Sequence, residues 1–302
     1  MNARLHAFSG ALHSALFRIQ SAFVNRDTRI DSTTPPSTRN GRKNMAEGEV
    51  FIVGAGPGDA ELLTLKAHRL LQTADVVLFD WLVSQSVLDC IPRHISKEFV
   101  GKRCGKHSMP QAMICQRLVE LGLEGKRVVR LKGGDPAIFA RTSEETTALH
   151  NAGIKFAIVP GITAASGASA YTGIPLTDRR FAQSVKFMTA QFQNPEKQAD
   201  WASIAYSAKH ETTVIYMGLK RLQQLSEKLI NEGIDSAMPV AVIENACCSQ
   251  QRVVAGTIKS IFKCVAEAEF TGPALVIIGH VVTARQPVAL ELISQPHAKS
   301  TI

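Results

Sequence analysis

Adjacent glycines followed by an acid, Gly133-Gly134-Asp135-Pro136, stand in company with two other glycine turns, Gly54-Ala55-Gly56-Pro57-Gly58-Asp59 and Pro160-Gly161-Ile162-Thr163. Each turn follows a short apolar, β-branched run, so these segments offer a ligand main chain at close approach rather than a reactive side chain. Glycine turns at the ends of several strands are where α/β sheets hold small molecules. Asp135 has the chemistry to accept hydrogen bonds from an amine or hydroxyl of such a ligand, or to cap the next helix after a tight turn.

The turns narrow the ligand class. Gly54-x-Gly56-x-Gly58 departs from the dinucleotide spacing, and Pro57 has no N–H to direct at a pyrophosphate. Asp80, at the end of the run Val76-Val77-Leu78-Phe79, is the acid that a dinucleotide site would still require. Gly133-Gly134-Asp135-Pro136 lacks the Lys-Ser/Thr ending of a phosphate loop, which argues against ATP hydrolysis.

Elements that would present these turns are legible as alternating strands and helices. Strands are expected at Val50–Val53, Val76–Phe79, Val128–Leu131 and Phe156–Val159, with Asp59 capping a helix through Leu63, Ala67, Leu70 and Ala74, and a helix over residues 142–151. This rhythm predicts a largely parallel sheet. After Tyr171 four more strands are expected, at Val185–Thr189, Thr213–Tyr216, Val240–Ile243 and Ala274–Ile278, with a helix over Leu222–Glu232. The expected division is a leader at 1–46, an N-terminal α/β domain at 47–173, a C-terminal α/β domain at 174–285 and a tail at 286–302. Gly161–Pro175 would be a helix and hinge beside a ligand cleft.

Bulk properties exclude several classes. The 302 residues are 45% apolar and carry a formal charge of +8, but residues 1–44 hold seven Arg and Lys against two Asp, a net +5. The remaining +3 is a mild excess, suited to an acidic substrate and not to nucleic-acid binding. That leader is rich in Ser, Thr, Asn and Arg, the composition of a disordered segment or a transit peptide, and Met45 is an alternative start. No apolar run is long enough to span a membrane. The six cysteines form no C-x-x-C pair and no metal-spaced cluster, so no metal is expected and a reducing, cytoplasmic setting is the simplest reading.

Taken together, the ordered segments resemble the tetrapyrrole methylase family of S-adenosylmethionine-dependent enzymes. The resemblance runs over residues 49–283 through Val53–Asp59, Asp80–Ser84, Val100–Arg103, Val128–Pro136, Val159–Gly167, Gly173–Arg179, Tyr216–Leu219 and Gly272–Gly279. It implies two α/β domains with the methyl donor in the cleft between them, and a homodimer. Carried onto this chain, Pro57, Gly133, Gly134, Asp135, Ile138, Thr163, Ala164, Met217 and Ala246 would line the donor site. Asp80 and Lys102 fall where the family's proton acceptor and donor are proposed. Within the family the resemblance is closest to the enzymes that methylate two ring carbons of uroporphyrinogen III to give precorrin-2, in sirohaem and cobalamin-type synthesis. That substrate carries eight carboxylates, for which Arg103, Arg130, Arg141 and Arg179 are the expected partners.

Three departures from the family pattern stand out. Trp81 replaces an Arg beside Asp80; Phe139-Ala140-Arg141-Thr142-Ser143-Glu144-Glu145 lacks three glycines; and Glu244-Asn245-Ala246-Cys247 has Ala246 where Gly is expected. Ala246 would be strained at positive φ and tolerated at negative φ. The alternatives left open are a sister methylase acting on a later corrin precursor and a cofactor-binding protein with little catalysis.

Overall fold

The computed structural model describes residues 48–101, 109–191 and 200–293, all within the contact unit Met45–Ile302. The leader and the residues after 293 lie outside the described residues.

Strand β1 (Glu49–Gly54) leads through a 3-10 turn to α1 (Leu65–Leu71), then β2 (Val76–Phe79), α2 (Gln85–Asp89), β3 (Ser96–Phe99), α3 (Gln111–Leu123), β4 (Arg127–Lys132), α4 (Thr142–Asn151), β5 (Lys155–Val159) and α5 (Ala164–Thr172). The five strands pair in parallel in the order β3-β2-β4-β1-β5. Alternation along the strands gives the sheet two apolar faces. Val53, Val77, Val129 and Leu131 meet Leu70, Leu71 and Val87 on one side. Val50, Ile52, Leu78 and Val128 meet Leu118 and Leu149 on the other.

The chain continues through β6 (Ser184–Thr189), α6 (Trp201–Ser207), β7 (Glu211–Tyr216), α7 (Leu222–Asn231), β8 (Pro239–Glu244), β9 (Arg252–Thr257), α8 (Ile261–Glu267) and β10 (Ala274–Ile278). These strands form a second sheet in the order β6-β7-β10-β8-β9, in which only β6 and β7 run parallel. One face packs on α7 and α8 through Ile215, Val242 and Val276 against Leu222, Leu229 and Ile261. The opposite face, with Val214, Ala241, Ile243 and Ile277, receives Ala165 and Ala168 of α5. Helix α5 thus follows β5 of the first sheet yet lies on the second.

Two sequence expectations change. Asp59 caps the 3-10 turn Ala60–Leu62 by accepting from the Glu61 N–H, whereas α1 is capped by Thr64, whose Oγ1 accepts from the Ala67 N–H at 3.1 Å. The edge strands β3 and β9 were not expected. Ser96-Lys97-Glu98-Phe99 is polar because its edge faces water, and β9, Arg-Val-Val-Ala-Gly-Thr, shows no alternation and carries a glycine at position 256.

Among the described residues no helix is long and apolar enough to cross a membrane.

Candidate active site

The glycine turns meet one another at the carboxyl ends of β1, β4 and β5. Gly56 and Gly134 exchange backbone hydrogen bonds of 3.2 and 2.8 Å. A Cβ on Gly54 would stand 2.6 Å from the Gly161 nitrogen and 2.7 Å from the Gly134 oxygen, so no larger residue fits where the three turns converge. Asp135 fastens them further: Oδ1 accepts from the Ala137 N–H at 2.7 Å and Oδ2 from the Gly161 N–H at 2.9 Å. Its side chain ties two turns together and does not cap the next helix, which starts at Thr142 with Arg141 as its N-cap.

Above the turns lies a cavity of about 700 Å³, lined from the first sheet by Pro57, Asp80, Trp81, Gly133, Gly134, Ile138 and Arg141, among others. The second sheet closes it with Tyr216 and Met217 at the end of β7, Asn245, Ala246 and Cys248 after β8, and the start of β10. The structure therefore brings Pro57, Asp80, Arg130, Gly133, Gly134, Asp135, Ile138, Arg141, Thr163, Ala164, Met217 and Ala246 to one wall-to-wall space. It does not bring Arg179 there; that residue is exposed elsewhere. Lys102 and Arg103 lie outside the described residues.

Charge on the cavity floor is paired. Asp80 is held at both oxygens, Oδ1 accepting from the Leu82 N–H at 3.1 Å and Oδ2 facing Arg130 Nη2 at 3.3 Å. Arg130, 3% exposed, also donates from Nη1 to the Leu131 carbonyl at 2.9 Å and from Nε to Glu145 at 3.2 Å. Lys132 Nζ lies 2.8 Å from the other Glu145 oxygen. Burial pushes the Lys132 ammonium below its ordinary pKa, Arg130 adds to the effect, and Glu145 opposes it. Arg130 is thus committed inside the protein, and among the described cations on this wall Arg141 is the one with an exposed partner, Glu144 at 2.7 Å. An exposed ion pair exchanges readily for a ligand carboxylate.

Lys132, Glu145 and Tyr216 were not singled out from the sequence. A signal existed for the first two: Arg130 and Lys132 share a strand face with the buried Val128, and two charges on a buried face require counter-charge. Tyr216 spans the cavity wall, its hydroxyl 2.5 Å from Thr163 Oγ1 and accepting from the Ala165 N–H at 3.2 Å. Burial raises its pKa, so the phenol keeps its proton at neutral pH.

The departures resolve differently. Ala246 is not among the residues with positive φ, and the left-handed positions of that loop are Asn245 (φ 50°) and Cys247 (φ 59°). Likewise Ala140, Thr142 and Ser143 are free of positive φ, which falls on Phe139 and Arg141. Thr142 and Ser143 begin α4, and Thr142 Oγ1 donates to the Pro136 carbonyl. Trp81 is 58% exposed on the cavity wall next to Asp80.

Known proteins align with this chain over the same region. The family model for Tetrapyrrole (Corrin/Porphyrin) Methylases matches residues 49–261. A siroheme synthase of Acinetobacter baylyi is 49% identical over 240 residues, 80% of this chain and 52% of that protein. A siroheme synthase of Enterobacter sp. is 48% identical over 269 residues, 89% of this chain and 58% of that protein. The chain spans little more than half the length of these curated relatives. Among solved structures, a uroporphyrin-III C-methyltransferase from Thermus thermophilus complexed with S-adenosyl homocysteine is 35% identical, with a TM-score of 0.68 over 78% of this chain and all of that one. A cobalt precorrin-4 methyltransferase is 27% identical, with a TM-score of 0.69 over 79% of this chain and 96% of that one. With a family match over most of its length and the same two-sheet architecture, the chain belongs to the tetrapyrrole (corrin/porphyrin) methylases.

Proposed function

We propose that this chain transfers methyl groups from S-adenosylmethionine to two ring carbons of uroporphyrinogen III, giving precorrin-2 for sirohaem or cobalamin-type synthesis, and that it works as a cytoplasmic homodimer. The observation that carries the reading is the position of Asp80, which opens onto the same 700 Å³ cavity as the converging glycine turns. Similarity to a methyltransferase solved with S-adenosyl homocysteine supports it.

The residues present suit the methyl donor. Gly134 has φ 69°, and a Cβ there would project into the gap facing the Ala164 nitrogen, 3.9 Å away. Gly133-Gly134, Pro57, Ile138, Thr163-Ala164, Met217 and Ala246 would hold the donor between backbone and apolar surface. When bound, it supplies an electrophilic methyl group on a sulfonium. The pyrrole carbon is its own nucleophile, so the protein's contribution is to hold the ring in line and exclude water. Asp80, fixed by Leu82 N–H and Arg130, offsets the positive charge that spreads over the methylated ring and takes the proton that leaves it. Arg141 can give up Glu144 for a substrate carboxylate, Arg103 is a further partner for one, and Lys102 stands where the family's proton donor is proposed.

The experiment is a comparison of Asp80→Asn with the unsubstituted protein. Turnover should fall by roughly a hundredfold or more, with affinity for S-adenosyl homocysteine kept. Unchanged turnover removes Asp80 from the mechanism.

A further inference from the structure

Glu145 lies outside the reacting groups, yet it is 0% exposed and holds two cations of β4 at once. Its Oε1 accepts from Arg130 Nε at 3.2 Å and from Gln111 Nε2 at 3.2 Å, and its Oε2 meets Lys132 Nζ at 2.8 Å. The same guanidinium reaches Asp80 with Nη2 and the Leu131 carbonyl with Nη1. A planar guanidinium fixed at three edges cannot rotate without breaking one of them. Three elements thereby converge on one side chain: α3 through Gln111, α4 through Glu145 and β4 through Arg130.

We infer that Glu145 is a positioning residue for methyl transfer, fixing the carboxylate of Asp80 through Arg130. The inference rests on the reading of Asp80 given above. Lys132 balances the second oxygen of Glu145, so the four side chains carry two charges of each sign, three of them buried and only Asp80 opening onto the cavity. A fully buried carboxylate without both partners would be expelled or protonated. What the arrangement provides beyond neutrality is direction: the Nε contact turns the fork so that Nη2 faces the cavity.

Charge balance and positioning are separable by paired substitutions. Lys132→Met with Glu145→Leu removes one charge of each sign and leaves Arg130 Nε without its acceptor. Lys132→Met with Glu145→Gln removes the same charges but returns an amide oxygen for Nε. With uroporphyrinogen III as substrate, kcat of the Leu double variant should fall on the order of a hundredfold. Its KM, and its affinity for S-adenosyl homocysteine by calorimetry, should stay within about threefold of the unsubstituted protein. The Gln double variant should recover most of kcat. Equal kcat in both double variants, high or low, overturns the inference. If the Leu variant does not fold, Glu145→Asp reads the same contact: its shorter side chain draws back from Nε with charge retained, so unaltered kcat overturns the inference and lowered kcat at unchanged donor affinity supports it. An unsubstituted protein with no turnover overturns the functional reading, and this inference with it.

Discussion

The hydroxyl of Tyr216 lies 2.5 Å from that of Thr163, joining the end of β7 to the N-cap of α5. Phe139, from the turn before α4, packs against the same tyrosine in a tilted arrangement, ring centroids 5.0 Å apart. The two sheets therefore share a hydrogen-bonded and aromatic seam along the cavity, and the helix start that faces the proposed donor is set from both sides.

Tyr216→Phe keeps the ring contacts and removes the hydroxyl that the Ala165 N–H and Thr163 both use. The expected cost is about 1–2 kcal/mol, seen as a roughly five- to thirtyfold loss of affinity for S-adenosyl homocysteine by calorimetry. Unchanged affinity would show that the seam does not shape the donor site.

The loop after β8 depends on Glu244, which is 1% exposed and accepts from the N–H groups of Thr271 and Gly272, each at 2.6 Å, and from Arg252 at 2.6 and 2.8 Å. Burial alone would raise its pKa, but the Gly272 N–H, Arg252 and Thr271 outweigh it and the pKa lies below the ordinary 4.5. A carboxylate whose pKa is lowered on folding stabilises the fold above its unfolded value and loses that contribution as pH falls through the folded one. Glu244→Gln should therefore cost about 2 kcal/mol in urea unfolding at pH 7 and markedly less near pH 3. An equal cost at both pH values would mean that packing, and not charge, makes the difference.

Trp81→Arg and Ala246→Gly should behave unlike each other. The first places a cation beside the cavity, worth about 1 kcal/mol toward an acidic substrate, and should lower KM for uroporphyrinogen III roughly fivefold. The second relieves no left-handed backbone and should leave kcat and KM within about twofold, because there is no strain at this position for a glycine to relieve. A large gain from Ala246→Gly alone would show that the methyl group of Ala246 intrudes on the donor.

Much of this arrangement is legible in the chain. Val50–Val53, Val76–Phe79 and Val128–Leu131 read as buried parallel strands because both of their faces are covered, and the glycine turns mark their ends. The edge strand β3 carries no such run: it is Ser-Lys-Glu-Phe, and three of its four residues are exposed. At the site, residues on the loops themselves, such as Asp80 and Gly134, announce themselves by type and position. Glu145 does not, since its importance arises only when α4 packs on β4 and sets it against Arg130 and Lys132, residues 15 and 13 positions away. Arg130 reads from sequence as a free cation for substrate, and only that packing shows it to be committed to Asp80 and Glu145.

The central claim is methyl transfer to uroporphyrinogen III, and its most direct test is product mass after anaerobic incubation of the full chain with that substrate and S-adenosylmethionine. The account predicts a product heavier by two methyl groups. No gain in mass, with donor binding established by calorimetry, would contradict it.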